Sequence, residues 1–197
     1  MAQTVFDKII TQGVRAGQVP ARHDASREWF RKTAKNVNVS PSKLFKENKD
    51  RMTTASAIEI GQMYMFNYDP KHKKTLPYYD TFPLIFPIDM AEKGFYGLNL
   101  HYLPLRERAV LMDALYKLVS DNRYDEKTKL RLSYQVLNAT AKYKAFRPTL
   151  KRYLYSQVKS RMMKIESVEW DIALFLPTQR FQKASTSKVY KDSRSKI

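Results

Sequence analysis

Beginning at Ser26, apolar and small side chains recur with a helical period. Trp29, Phe30, Thr33, Ala34 and Val37 fall on one face. The same stretch carries Arg27, Arg31 and Lys35 at i, i+4 and i+8 on another face, a basic ridge that reads either as a polyanion contact or as an ordinary solvated face. Ser40-Pro41 supplies an N-cap and a first-turn proline for a short helix over 43–48. At Met63 the period changes to two, with Tyr64, Phe66 and Tyr68 on one side of a predicted strand. Asp69-Pro70 ends it, and Lys71-His-Lys-Lys74 reads as an exposed basic loop. Leu84-Ile85-Phe86 is strand-like but bracketed by Pro83 and Pro87, which predicts an edge or an irregular segment. After the Glu92-Lys93-Gly94 turn, alternation returns over 97–102 and buries Leu98, Leu100 and Tyr102. These strands make a small antiparallel sheet or partly open barrel, about 60–105, too small to stand alone.

Helices predicted downstream can cover that sheet. Residues 106–119 place Leu111, Leu115 and Leu118 on one stripe, and Asp125 caps a second helix with Leu130, Tyr134, Leu137 and Ala141 in line. Pro148 opens a third, running to about Ile165, with Leu150, Leu154, Val158, Met162 and Ile165 inward. Ser167 caps a fourth that Pro177 ends, and Glu169 and Asp171 in its first turn suit the helix dipole. The fold class is therefore α+β with helices dominating: a small sheet packed by a mainly helical C-terminal half, with N-terminal helices. Residues 1–25 form an N-terminal arm, 26–177 a single domain, and 178–197 a basic flexible tail, disordered when free.

Charge adds the first functional statement. The chain of 197 residues has 36 Lys and Arg against 19 Asp and Glu, a formal charge of +17. A surplus of that size repels itself unless a polyanion neutralises it. Nucleic acid is favoured over an anionic membrane because no basic amphipathic anchor stands out. Residues 1–52 carry 11 basic and 5 acidic side chains, 53–105 carry 4 and 5, and 178–197 carry 6 and 1. The middle is neutral and the ends are basic. The sharpest stretch is 141–164, where Lys142, Lys144, Arg147, Lys151, Arg152, Lys159, Arg161 and Lys164 occur with no acidic residue. A merely solvated helix usually mixes signs, so phosphates are the natural complement. Tyr143, Tyr153 and Tyr155 are interleaved and could stack on bases, although core packing suits Tyr153 better. The tail reads as a second phosphate grip or as a solubility aid.

Enzymatic chemistry finds little support. There is no cysteine, which removes disulfides, thiolate zinc sites and a thiol nucleophile. His23, His72 and His101 show no metal-ligand spacing, and His101 reads as a satisfied structural histidine. Asp69, Asp80 and Asp89 fit turns better than a metal-dependent nuclease centre. Five glycines include no phosphate-cradling loop. The expectation is a non-enzyme without cofactor, metal or small-molecule substrate. No run approaches 18 apolar residues and the start lacks a signal-peptide pattern, so neither a membrane partner nor export is expected.

Several strings carry a family resemblance. Met63-Tyr-Met-Phe-Asn-Tyr-Asp-Pro-Lys71, Leu76-Pro-Tyr-Tyr-Asp80, Phe82-Pro-Leu-Ile-Phe-Pro87, Gly94-Phe-Tyr-Gly-Leu-Asn-Leu-His-Tyr-Leu-Pro104 and Trp170-Asp-Ile-Ala-Leu-Phe-Leu-Pro177 resemble the DNA end-protector, or head-completion, proteins of T-even-like contractile-tailed phages. The similarity spans roughly 26–185. It implies a virion protein, present in the host cytoplasm during assembly and after injection. Such a protein binds the ends of packaged linear double-stranded DNA, protects them from host exonuclease and helps complete the head before tail joining. Its partners would be DNA termini and other head or neck proteins, and the family supplies no catalytic residues. The aromatic strings lie in the neutral middle, which suits fold or protein docking more than DNA contact. The candidate DNA-binding residues are Lys142, Lys144, Arg147, Lys151, Arg152, Lys159 and Arg161, with Arg27, Arg31 and Lys35. The rival readings are a neck or baseplate assembly protein without a direct DNA-end role, and a nuclease or resolvase.

Overall fold

A computed structural model describes residues 3–20, 23–119, 121, 123–142 and 144–195. The helices are α1 (Val5–Arg15), α2 (Asp24–Lys35), α3 (Pro41–Glu47), α4 (Leu105–Val119), α5 (Glu126–Lys142), α6 (Trp170–Phe175) and α7 (Thr186–Ser195). The strands are β1 (Met52–Thr53), β2 (Met63–Met65), β3 (Tyr79–Asp80), β4 (Leu84–Ala91), β5 (Gly94–Asn99), β6 (Leu150–Leu154), β7 (Met162–Ile165) and β8 (Phe181–Gln182). The α+β class holds. The sheet is larger than expected: six antiparallel strands in the order β1-β7-β2-β4-β5-β6, open at both edges, beside a two-stranded β3-β8 ribbon.

Side-chain alternation along the strands sorts two cores. Met63, Met65, Leu84, Phe86, Leu98, Met163 and Ile165 face the helical layer with Phe6, Phe30, Leu111, Leu115 and Ile172. Tyr64, Phe66, Ile85, Phe95, Tyr153 and Met162 face the other way into a smaller aromatic core, joined by Ile58 and Tyr68. The placement of Tyr64, Phe66 and Tyr68 on one side is thus as the alternation predicts. Ser40 caps α3 through the Lys43 N–H, and Asp125 accepts from the Thr128 N–H at 2.7 Å to cap α5, both as read from sequence.

Four expectations need correction. The helix expected from Pro148 to Ile165 is instead a 3-10 turn, Lys144–Thr149, followed by β6 and β7. Its i, i+4 apolar stripe gave way to strand pairing with β5 on one side and with β1 and β2 on the other. Leu84–Phe86 is not at an edge, because β4 lies between β2 and β5. The irregularity expected of Pro87 is present, as a register shift between Pro87 and Asp89 beyond the last β2 pair. The N-terminal arm is folded: Thr4 and Asp7 form a reciprocal cap, and Val5, Phe6 and Ile9 enter the main core. The tail is folded too. Phe181 and Gln182 pair with β3, Val189 of α7 is fully buried, and the Tyr190 hydroxyl accepts from the Arg108 guanidinium at 2.7 Å.

Candidate nucleic-acid interface

The acid-free stretch 141–164 does not form one helical face. β6 is one edge of the sheet and β7 lies four strands along it. Lys164, on β7, reaches Glu59 at 3.3 Å. Lys159 and Arg161 are exposed on the connection between β6 and β7, with their side chains on the carbonyls of Ser156 and Met52. Arg147 is exposed in the 3-10 turn ahead of β6. The side chains of Lys142 and Lys144, and the whole of Tyr143, lie outside the described residues. Tyr153 is core, stacked on Phe95 with centroids 5.3 Å apart.

The expected ridge on α2 is dismantled by its own partners. Arg27 is 5% exposed and Arg31 6%. Arg31 donates to Asp171 at 2.7 Å and to Asp113 at 2.6 Å, and Arg27 pairs with Asp24. These guanidiniums tie α2 to α4 and α6, because buried cations need carboxylates close by. Burial pushes the Asp171 carboxyl up to about 6 even with Arg31 and Arg27 beside it. Lys35 alone of the three is exposed, on the helical side of the sheet.

Lys151 and the backbone of Arg152 meet residues the segment charges passed over. A cleft of about 350 Å³ opens between the free edge of β6 and the chain from Tyr68 to Asp80. Lys71 and Lys151 supply its ammonium groups, His72 and the Arg152 backbone also line it, and Tyr68, Tyr78 and Tyr102 form its aromatic walls. The Arg152 guanidinium, on the other face of β6 from Lys151, donates to the Glu92 carbonyl at 3.1 Å. The Lys151 ammonium sits 4.1 Å from the Tyr102 ring centroid, and Tyr102 lies 6.1 Å from Tyr78. Burial raises the Tyr78 and Tyr102 phenols well clear of neutrality, so both walls are uncharged. Leu154 donates its N–H outward to the Tyr68 hydroxyl at 3.2 Å. By the two-residue period of a strand, the Arg152 N–H points to the same open edge. The basic loop is held in place from the tail: Lys183 donates to the carbonyls of Lys73, Lys74 and Leu76 at 2.6, 2.9 and 3.0 Å. Lys73 is spent on Asp69 at 2.8 Å, whereas the exposed Lys71 and Lys74 make no ion pair among the described residues.

Beneath the cleft lies a buried polar knot. His101 Nδ1 meets Asp80 at 2.7 Å and its Nε2 lies 3.3 Å from the Thr178 hydroxyl, all three fully enclosed. Asp80 also accepts from the N–H groups of Phe82 and Arg180 and from the Asn99 amide. Burial lowers the His101 pKa against the pull of Asp80, so the ring is neutral and donates to the carboxylate. Burial opposes the Asp80 charge, but His101 and the backbone donors hold it below the usual carboxylate range. The order Asp-His-Thr resembles a hydrolytic relay, yet no reactant reaches a hydroxyl at 0% exposure. The satisfied structural role expected of His101 is what the geometry displays, although it sits on a 3-10 turn, Leu100–Tyr102, and not on a strand. Among the described residues no three His, Asp or Glu side chains are grouped to hold a metal ion.

Lys71, His72, Tyr68, Tyr78 and Tyr102 are site residues that sequence reasoning left out. The clue was the run Lys71-His-Lys-Lys74 flanked by tyrosines, hidden because carboxylates elsewhere cancel its charge in the segment total.

Fold and site together define a basic α+β protein with a tyrosine-walled, cation-rimmed cleft at the open edge of an antiparallel sheet. The chain belongs to the family described as phage T4 terminal DNA protecting protein, whose family model matches residues 4–195 of 197. No curated protein and no solved structure matches the chain.

Proposed function

We propose that this protein is a phage virion component that binds the ends of packaged linear double-stranded DNA, shields them from host exonuclease and assists head completion before tail joining. The family supports the terminus as target. The observation that carries the reading on this molecule is the convergence of Lys71 and Lys151, with His72 and the open backbone edge of Arg152, on one tyrosine-walled cleft whose one lining carboxylate, Asp80, is hydrogen-bonded to His101. Protection of this kind is steric. A protein that covers a terminus through several phosphate contacts denies a nuclease access and performs no bond chemistry itself. Affinity then falls with salt by about 0.9 logarithmic units per phosphate contact. The chain acts in the particle and, after injection, in the host cytoplasm.

The test compares blunt linear duplex with closed circular DNA of equal length, in binding and in exonuclease digestion, across a salt titration. Linear DNA is expected to bind more tightly and to survive digestion. Equal binding to the circle would reduce the protein to a nonspecific DNA binder. Incubation with Mg²⁺ alone is expected to leave both DNAs intact.

One observation favours the neck-assembly alternative. Tyr96 lies directly across from Arg152, and Leu150 is on the same side of β6; both are exposed, giving a mixed apolar and cationic facet at the sheet rim. Failure to bind DNA at 100 mM salt, with co-purification of a portal or tail ring, would select that reading.

A further inference from the structure

The cleft is of the size that holds a small molecule, and it is far too small for a base-paired duplex. We infer that it receives a single unpaired nucleotide at the end of the DNA strand, with the base against the Tyr78 ring and the adjoining phosphate on Lys71 and the Arg152 backbone N–H. This rests on the reading of the protein as a DNA-end binder and gives that reading its means of telling an end from the interior.

Three features point to a nucleotide. The cleft offers an aromatic wall that is only half-buried, Tyr78, beside Tyr102, which Lys151 and Phe181 hold in place. It offers backbone N–H donors from the β6 edge, and cations from Lys151 and from the 71–74 loop. Its one lining carboxylate, Asp80, is buried and already accepts from His101, Asn99 and two backbone N–H groups, so its oxygens are engaged inside the fold, and the ammonium groups of Lys71 and Lys151 outnumber its single charge. Stacking on an aromatic ring accepts any base, so such a pocket needs no particular terminal sequence.

Selectivity follows from what extraction costs. An interior nucleotide must break its pair and both stacks to enter a pocket, whereas a terminal one has a single stacked neighbour and frays readily. A cleft sized for one nucleotide therefore favours ends without any element that recognises an end as such. The remaining basic surface, Lys74 and Arg147 included, adds affinity that ends and interior share.

The experiment uses two duplexes of equal length and sequence, one with open 5′-phosphorylated ends and one closed at both ends by hairpin loops of non-nucleosidic linker. Full-length wild type, Tyr78→Ala and Tyr78→Phe are titrated with each. Wild type is expected to prefer the open duplex by about tenfold, the worth of one base–aromatic stack. Tyr78→Ala should bring open-duplex affinity down to that of the closed duplex without altering the latter, and Tyr78→Phe should retain the preference. Unchanged binding of the closed duplex serves as the check that the alanine variant is folded. An end preference that survives Tyr78→Ala overturns the inference while leaving end binding intact. Wild type without any preference overturns both.

Discussion

Arg27 and Arg31 show how a residue's charge and its role can part company. In sequence they belong to a basic ridge with Lys35; in the fold their guanidiniums are enclosed by Asp24, Asp113 and Asp171, carboxylates up to 140 positions away. Removing one member of a buried pair leaves the other charged and unsolvated, which costs about 3–5 kcal/mol. Arg31→Ala should therefore lose stability of that order in urea unfolding, with Lys35→Ala within about 0.5 kcal/mol of wild type. Asp171 adds a pH signature. Its carboxyl titrates near 6 in the fold because burial outweighs its arginine partners, and one of its oxygens, Oδ2, has no hydrogen-bond donor. Between the unfolded value of about 4 and that folded value the native state holds a proton the unfolded chain has released. This group's contribution to stability is thus full below about pH 4 and declines as pH rises to 6. Asp171→Asn should flatten that decline, seen as a wild-type-minus-variant stability that falls with rising pH; a difference constant with pH would refute the assignment.

At the scale of elements, much was legible. Capping residues announced α3 and α5, and alternation announced β2 and the two cores it separates. Residues 150–165 were misread because Leu150, Leu154, Val158 and Met162 satisfy a helical period while Tyr153, Met163 and Ile165 satisfy a strand period equally well. Local pattern cannot choose between them; the partner strands do. Gly94 is what lets β6 dock, since a Cβ there would stand 2.0 Å from the Tyr153 carbonyl oxygen. Gly94→Ala should accordingly cost about 2 kcal/mol or more, because the backbone must move aside, and should weaken binding to open-ended duplex as the β6 edge shifts. The tail misled for a similar reason. Its composition is that of a solvated segment, but the partner for Tyr190 is Arg108, whose other donors go to the carbonyls of His101, Leu103 and Leu174. Tyr190→Phe removes a hydrogen bond to a buried cation and should lower stability by about 2 kcal/mol, with α7 amides exchanging faster than those of the sheet.

Over the whole molecule, exposed cations lie on both sides of the sheet, and what differs is their setting: Lys8, Lys32, Lys35, Lys43 and Lys46 stand on the surfaces of α1, α2 and α3. The helical side spends its buried arginines internally, whereas the cleft and the 71–74 loop leave cations turned to solvent beside the β6 edge. Segment totals could not foresee this, because the fold brings a loop from the neutral middle against a strand from the basic C-terminal half, and the Lys183 ammonium fastens that loop from the tail. Charge reversal can read the difference directly. If phosphates run along the cleft side, Lys71→Glu with Lys74→Glu should reduce the slope of log affinity against log salt by about 0.9 for each phosphate left without its cation. Lys35→Glu, equal in net charge to one of these but set on the helical side, should leave the slope where it was and change affinity only through the diffuse field, an effect that shrinks as the Debye length shortens with added salt. Equal slope changes from both sides would mean that DNA wraps the molecule without a preferred face, and the cleft would then have no privileged place in binding.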